Sequence, residues 1–337
     1  MLYITTRNTR DAFTAQRALH GNRGPDGGMY LPFRAPEFTA EDITKLAQIP
    51  FGQRVAEVLN RLFQTKLTTW DVDFCIGRNP VRFAPLGHRI QVAELWHNPG
   101  SSYSHMEREL SEQLLTGQTC DSGWLPIALR IAILFGVYGE LRKQDSACVD
   151  ISLLSGDFSA PISAYYARQW GLPVGNIICC CNENSELWNL LCHGQLHTDV
   201  TSIPTLIPEA DPAIPEHLER LIFDAGGVGE VERYLEASRR GGTYTPNDAV
   251  QAKMNRGLSV SVVSSHRIKQ IIPSVFRTHN YVLAPGAALS YAGLMDYRAK
   301  TGQTRNAVIL ADESPALNAD FIANSLGVAS ETLRDLI

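Results

Sequence analysis

The sequence predicts an α/β protein: a mainly parallel open sheet flanked by helices, preceded by a helical N-terminal region. Three observations lead there. Two apolar runs of strand length, residues 149–154 and 177–181, enclose a helical pattern that ends at Trp170, where Gly171-Leu172-Pro173 stops it. Strand, tight turn, helix and parallel strand form the unit from which such sheets are assembled. A further apolar run, 307–311, reads as a last core strand, while residues 1–82 carry mostly helical patterns.

Taken in order, residues 2–5 read as a short strand and 11–19 as a helix. Pro25-Asp26-Gly27-Gly28 is a turn signal, because two glycines tolerate positive φ. Thr39-Ala40-Glu41-Asp42 has the acidic first turn of a helix start. Helices are expected over 51–63 and 69–77, then a strand pair over 83–86 and 90–96. Ser104-His105-Met106-Glu107 has the S-x-x-E form of a capping box, opening a helix with Met106, Leu110 and Leu114 on one face. That reading makes Ser104 a cap worth about 1 kcal/mol. A catalytic reading pairs Ser104 or Ser102 with His97 or His105 as an activated nucleophile. No acid is placed to orient the imidazole, and the G-x-S-x-G elbow is absent.

The helical stretch 124–138 is apolar nearly all round, which calls for burial on several sides. After it, the turn of the strand–helix–strand unit reads Ser155-Gly156-Asp157-Phe158-Ser159. Ligands of open α/β sheets bind at the carboxyl ends of strands, beside helix N-termini whose free N–H groups favour anions. A small-molecule ligand near Gly156 is therefore expected. Cys179-Cys180-Cys181, with Cys192, His193 and His197, raises a zinc site as an alternative to core packing. Successive strand residues point to opposite faces, so the three thiols cannot converge on one ion; packing is expected and no metal. His193 and His197 read as solvated residues at a helix end beside Gly194. Gly226, Gly227 and Gly229 read as a helix stop, since no strand precedes them to support a dinucleotide turn. Helices are expected over 230–240 and 266–272.

The stretch from Ser152 to Asn184 resembles the threonine synthase family, pyridoxal-phosphate enzymes of the tryptophan-synthase β fold. Family members read PTGNFGDILAGYYAKKMGLP and close on NEN. Here Gly156-Asp157-Phe158-Ser159, Ala164-Tyr165-Tyr166-Ala167, Gly171-Leu172-Pro173 and Asn182-Glu183-Asn184 hold those places. Pro25-Asp26-Gly27-Gly28 is similar to the family's opening GLAPDGGLYVP. The resemblance implies a tryptophan-synthase-β-like large domain over 83–337, behind an N-terminal helical region over 1–82. It also implies that Ser155, Gly156, Asp157, Phe158 and Ser159 hold the place of the cofactor phosphate.

The same resemblance exposes losses. Aligned from Glu94-Leu95-Trp96-His97, the family's GPTLAFKD puts Ser104 where the Schiff-base lysine belongs, and no lysine occurs between Lys66 and Lys143. A serine hydroxyl cannot form an aldimine with an aldehyde, which takes a primary amine. Asp157 replaces an asparagine and adds a negative charge where a phosphate would sit. The family's mobile subdomain is deleted near 116–122, and Asp312-Glu313 place two acids near the cofactor ring. The expectation is a pseudoenzyme without pyridoxal phosphate that binds a protein or a small ligand. New cofactor-independent chemistry in the old cleft is the alternative, and retained threonine synthase activity a more distant one.

Composition bounds the partners. With 337 residues, 44% hydrophobic, 19% charged and a net charge of −5, the chain has the make-up of a soluble globular protein. It has no basic footprint for nucleic acid and no apolar stretch long enough for a membrane. Seven cysteines, three of them adjacent, do not form a disulfide framework, which points to the cytoplasm. A homodimer or protein partner is expected to cover the region around 116–122 and the apolar helix after it, because one strand–helix–strand layer covers only one side of that helix.

Overall fold

The structure, a computed structural model, describes residues 1–96, 101–115, 123–142, 148–333 and 336. The chain opens with β1 (Leu2–Thr5), β2 (Asn8–Thr14), α1 (Ala15–His20) and β3 (Tyr30–Pro32), the strands forming an antiparallel sheet in the order β2-β1-β3. The helix expected over 11–19 therefore begins only at Ala15, and the N-terminal region is not all helical. Residues 8–14 pair with β1, Leu2 opposite Thr14, and lie mostly exposed, so they show neither the strand nor the helix period. Thr14 caps α1, accepting from the Arg17 N–H. The Pro25–Gly28 turn is present: Gly27 has φ 75°, and Asp26 accepts from the Gly28 N–H at 2.9 Å and the Thr5 hydroxyl at 2.5 Å.

Three helices follow, α2 (Ala40–Gln48), α3 (Phe51–Phe63) and α4 (Thr69–Ile76). Thr39 with Asp42, and Thr68 with Asp71, make reciprocal capping boxes. Next come β4 (Arg82–Pro85), β5 (Ile90–Glu94), α5 (Tyr103–Leu115) and α6 (Leu125–Arg142). Then β6 (Val149–Leu154), α7 (Ser159–Gln169) and β7 (Val174–Cys181) form the expected unit, with β6 and β7 adjacent and parallel. The remainder runs α8 (Glu186–His193), β8 (Leu196–His197), α9 (Leu218–Arg239), β9 (Thr243–Tyr244), α10 (Asp248–Met254) and β10 (Leu258–Val262). It closes with α11 (Ser265–His279), α12 (Pro285–Thr301), β11 (Ala307–Ala311) and α13 (Ala319–Leu326).

The main sheet has the order β10-β7-β6-β11-β5-β4 and is parallel except for β4. Its two faces carry the two cores. Cys179 and Cys181 pack into one and Cys180 into the other, as strand alternation requires. The expected stop among the glycines at 226–229 falls at Gly227, where two helical segments meet at a kink. Gly227, with φ 73°, breaks α9 internally and the helix resumes beyond it. His193 lies exposed in the last turn of α8, before Gly194 in the left-handed region; His197, on β8, is 3.1 Å from Glu186.

Helix α6 is buried from Leu125 to Gly139, and its cover comes from its own chain. α3 and α2 pack on one side, α7 on another, and α5 and α1 add further contacts. The expectation that one layer covers a single side is corrected: the N-terminal helices cover the rest. Close approach makes this work. A Cβ on Gly136 would lie 2.5 Å from the Phe51 ring, and one on Gly139 2.5 Å from the Arg54 guanidinium. Arg54, fully buried, donates to Leu46 O at 2.7 Å, Gly136 O at 2.8 Å and Glu140 at 2.7 Å, tying α3 to α6. Residues 116–122, expected to mark the missing subdomain, lie outside the described residues, as does His97.

Candidate functional site

The C-terminal ends of β6 and β11 and the N-termini of α5 and α7 converge on a cavity of about 420 Å³. A parallel sheet dictates this, since its strand ends and helix starts gather on one edge. Of the turn residues named from the sequence, Ser155, Gly156, Asp157 and Ser159 line the cavity, and so does Ser104. Phe158 does not line it. Its backbone sits in the left-handed region at φ 71° and its ring is fully buried, fixing the turn from beneath. Gly156 is required by close approach: a Cβ there would meet Glu209 O at 2.8 Å.

Asp157 spends its carboxylate on the turn itself. Its Oδ1 accepts from the N–H of Ser159, the first residue of α7, at 2.8 Å, and its carbonyl accepts from the His217 N–H at 2.9 Å. The other carboxylate oxygen lies 3.7 Å from His217 Nε2. This is no ion pair at neutral pH, because burial, reinforced by nearby Arg220, pushes the imidazole down to about 3. A donor at the start of α7 that could face an anion is thus already taken by an anion.

Helix α5 starts one residue before Ser104. The S-x-x-E expectation is corrected here: the cap is Ser102, and Ser104 lies exposed within the first turn. The Ser102 N–H donates to His105 Nδ1 at 3.2 Å, and the Ser102 hydroxyl lies 3.2 Å from the same nitrogen and 2.7 Å from the Ser104 hydroxyl. A ring nitrogen that accepts a backbone N–H is acting as a cap partner, which weakens the nucleophile–base reading of these residues. The start moves because tertiary contacts hold it. The Tyr103 N–H donates to Asp312 O at 2.6 Å and the Ser314 N–H to Ser101 O at 3.0 Å, an isolated antiparallel bridge between residues 101–103 and 312–314, just past β11.

Arg130 was visible in the sequence only as a break in an apolar helix. It reaches the cavity from α6, its guanidinium 3.0 and 3.1 Å from Asp312 and stacked 3.7 Å from the Tyr103 ring centroid. Burial works against its charge, but Asp312, Tyr103 and Glu107 together outweigh that and raise its pKa. Glu107, Glu209 and Glu313 add carboxylates to the lining. Burial and the neighbouring Glu209 push Glu313 up to about 7. Glu209, absent from the sequence-based candidates, arrives on a turn far along the chain, and only the fold brings it here. The lining therefore holds five carboxyl groups, serine hydroxyls and one guanidinium already matched to Asp312, with no lysine.

A mainly parallel sheet with this edge cavity, behind an N-terminal helical layer, is the tryptophan-synthase-β-like architecture. Within it the chain is similar to threonine synthases. The family model described as "Threonine synthase N terminus" matches residues 2–79. Threonine synthase of Pseudomonas aeruginosa is 27% identical, over 400 aligned positions that take in 88% of this chain and 85% of the relative. The crystal structure of pyridoxal-phosphate-bound threonine synthase from Brucella melitensis superposes with a TM-score of 0.85 at 19% identity, covering 100% of this chain and 94% of that one. Yeast threonine synthase superposes at 0.86 with 15% identity, covering 99% and 93%.

Proposed function

We propose that this chain is a threonine synthase-like protein that does not run pyridoxal-phosphate chemistry, and that its cavity holds a small ligand carrying a positive charge. The observation that carries the reading is Ser104: the family's Schiff-base position is occupied by an exposed hydroxyl at the cavity wall, with no amine in the lining. The other lining residues do not fit the cofactor either. A phosphate dianion would meet Asp157 at the start of α7 together with Glu209 and Glu313, while Arg130 is engaged by Asp312. The 400 aligned positions exceed the length of this 337-residue chain, so the Pseudomonas aeruginosa relative holds residues here that this chain lacks. That supports the loss of a subdomain. The same carboxylates and hydroxyls that repel a phosphate suit an ammonium group.

Incubation with pyridoxal phosphate followed by borohydride tests the first half. No visible aldimine band and no fluorescent reduced adduct are expected; a stoichiometric adduct overturns the reading. Thermal shift against paired small molecules tests the second. Amines are expected to raise Tm and their phosphate-bearing counterparts not to; the reverse order overturns it.

A further inference from the structure

β10 is the last strand of the main sheet, and its outer side is open. Two bonds set its phase. The Ile177 N–H donates to Gly257 O at 3.0 Å and the Val263 N–H to Cys181 O at 2.9 Å. With Leu258 opposite Ile177 and Val262 opposite Cys181 in a parallel ladder, the odd-numbered residues turn their backbone groups toward β7. Val260 and Val262 turn theirs outward, and neither makes a backbone bond to another described residue on that side.

A groove of about 660 Å³ runs along this edge. Trp188, Leu191 and Cys192 of α8 wall one side; Asp296, Tyr297 and Lys300 of α12 wall the other. Trp188 is half-buried and Leu191 buried, giving an apolar wall. Asp296 is neutralised by Arg267, whose two guanidinium nitrogens lie 2.5 and 2.7 Å from its carboxylate. Lys300 is exposed and has no carboxylate in ion-pair reach among the described residues. The groove thus offers free backbone donors and acceptors, an apolar wall and one uncompensated positive charge.

We propose that this groove receives an extended segment of a partner protein, added as a strand beside β10. Its apolar side chain lies against Trp188 and Leu191, and an acidic one meets Lys300. An extended backbone is the complement of alternating outward N–H and C=O groups, and side chains at alternate positions supply the choice of partner. A second copy of this chain is the poorer occupant, because a two-fold pairing of β10 brings Lys300 toward its own image.

A displayed library of random heptapeptides, selected on the whole protein, tests this. Enrichment of acidic, alternately apolar sequences is expected, and the enriched peptides should slow amide exchange at Val260 and Val262. Val260→Pro removes one outward donor at an edge position where proline is tolerated, and is expected to weaken those peptides about tenfold. Lys300→Glu, on the surface in the last turn of α12, should turn the selection toward basic sequences. No enrichment over the unselected library overturns the proposal, as do peptides that bind both variants as well as the parent. A dimer in light scattering that Val260→Pro abolishes overturns it in favour of self-pairing.

Discussion

Ser104 and Asp157 show how much one side chain can decide. At Ser104 the amine needed for an aldimine is absent. At Asp157 a carboxylate answers the helix N-terminus from within the chain. Restoring the amine alone therefore leaves the anion site occupied, and Ser104→Lys is expected to show no aldimine absorbance with pyridoxal phosphate. A coloured single variant would mean the acids around the cavity matter less than their charges imply. Asp157→Ala, which frees the first amide of α7, should cost about 1 kcal/mol in urea unfolding, while Asp157→Asn keeps an acceptor and should cost less. Glu313 gives a pH signature. Its folded pKa, about 7, lies above the ordinary 4.5, so the folded state holds a proton that the unfolded state releases. Its contribution to stability falls as pH rises between those values and is constant beyond. Glu313→Gln should accordingly raise Tm at pH 8 and leave it unchanged at pH 4. An equal shift at both would sink that assignment.

α6 carries the packing lesson. In an exposed helix, Gly→Ala gains about 1 kcal/mol from propensity. At Gly136 the added methyl meets the Phe51 ring in a closed core, and overpacking of that kind costs about 1–3 kcal/mol. Overpacking outweighs propensity, so Gly136→Ala should lower the urea midpoint with an unchanged m-value; a stabilised variant would mean that α3 shifts freely. The strand–helix–strand unit was legible because its apolar runs are long and its turn and stop residues are distinctive. β2 was not, because an edge strand exposed on both faces carries no period. The start of α5 was misplaced because local capping rules favour Ser104, while backbone bonds to Asp312 and Ser314 fix the helix two residues earlier.

Across the whole molecule, the N-terminal helices and the α/β sheet share one core through α6, which both sides bury. That burial removes the reason for placing a partner on α6 and moves attention to the open edge at β10. Amides of α6, β6 and β7 should exchange only through global unfolding, far slower than those of β2 or the outward residues of β10. Fast exchange in α6 with slow exchange in β6 would show two units that open separately.

From the amino-acid order alone came the sheet unit, the turn residues that line the cavity, the serine aligned with the family's lysine and the likeness to threonine synthases, all carried by local pattern or by short motifs. The full acidity of the cavity did not. Asp157, Asp312 and Glu313 were named through the resemblance, but Glu107, Arg130 and Glu209 lie on three further segments, and each reads as an ordinary surface or helix residue until strand order brings them together. The cover of α6 and the free edge of β10 were likewise set by which elements became neighbours. Local periodicity reports that a face must be buried, but its burial partner is chosen by long-range packing.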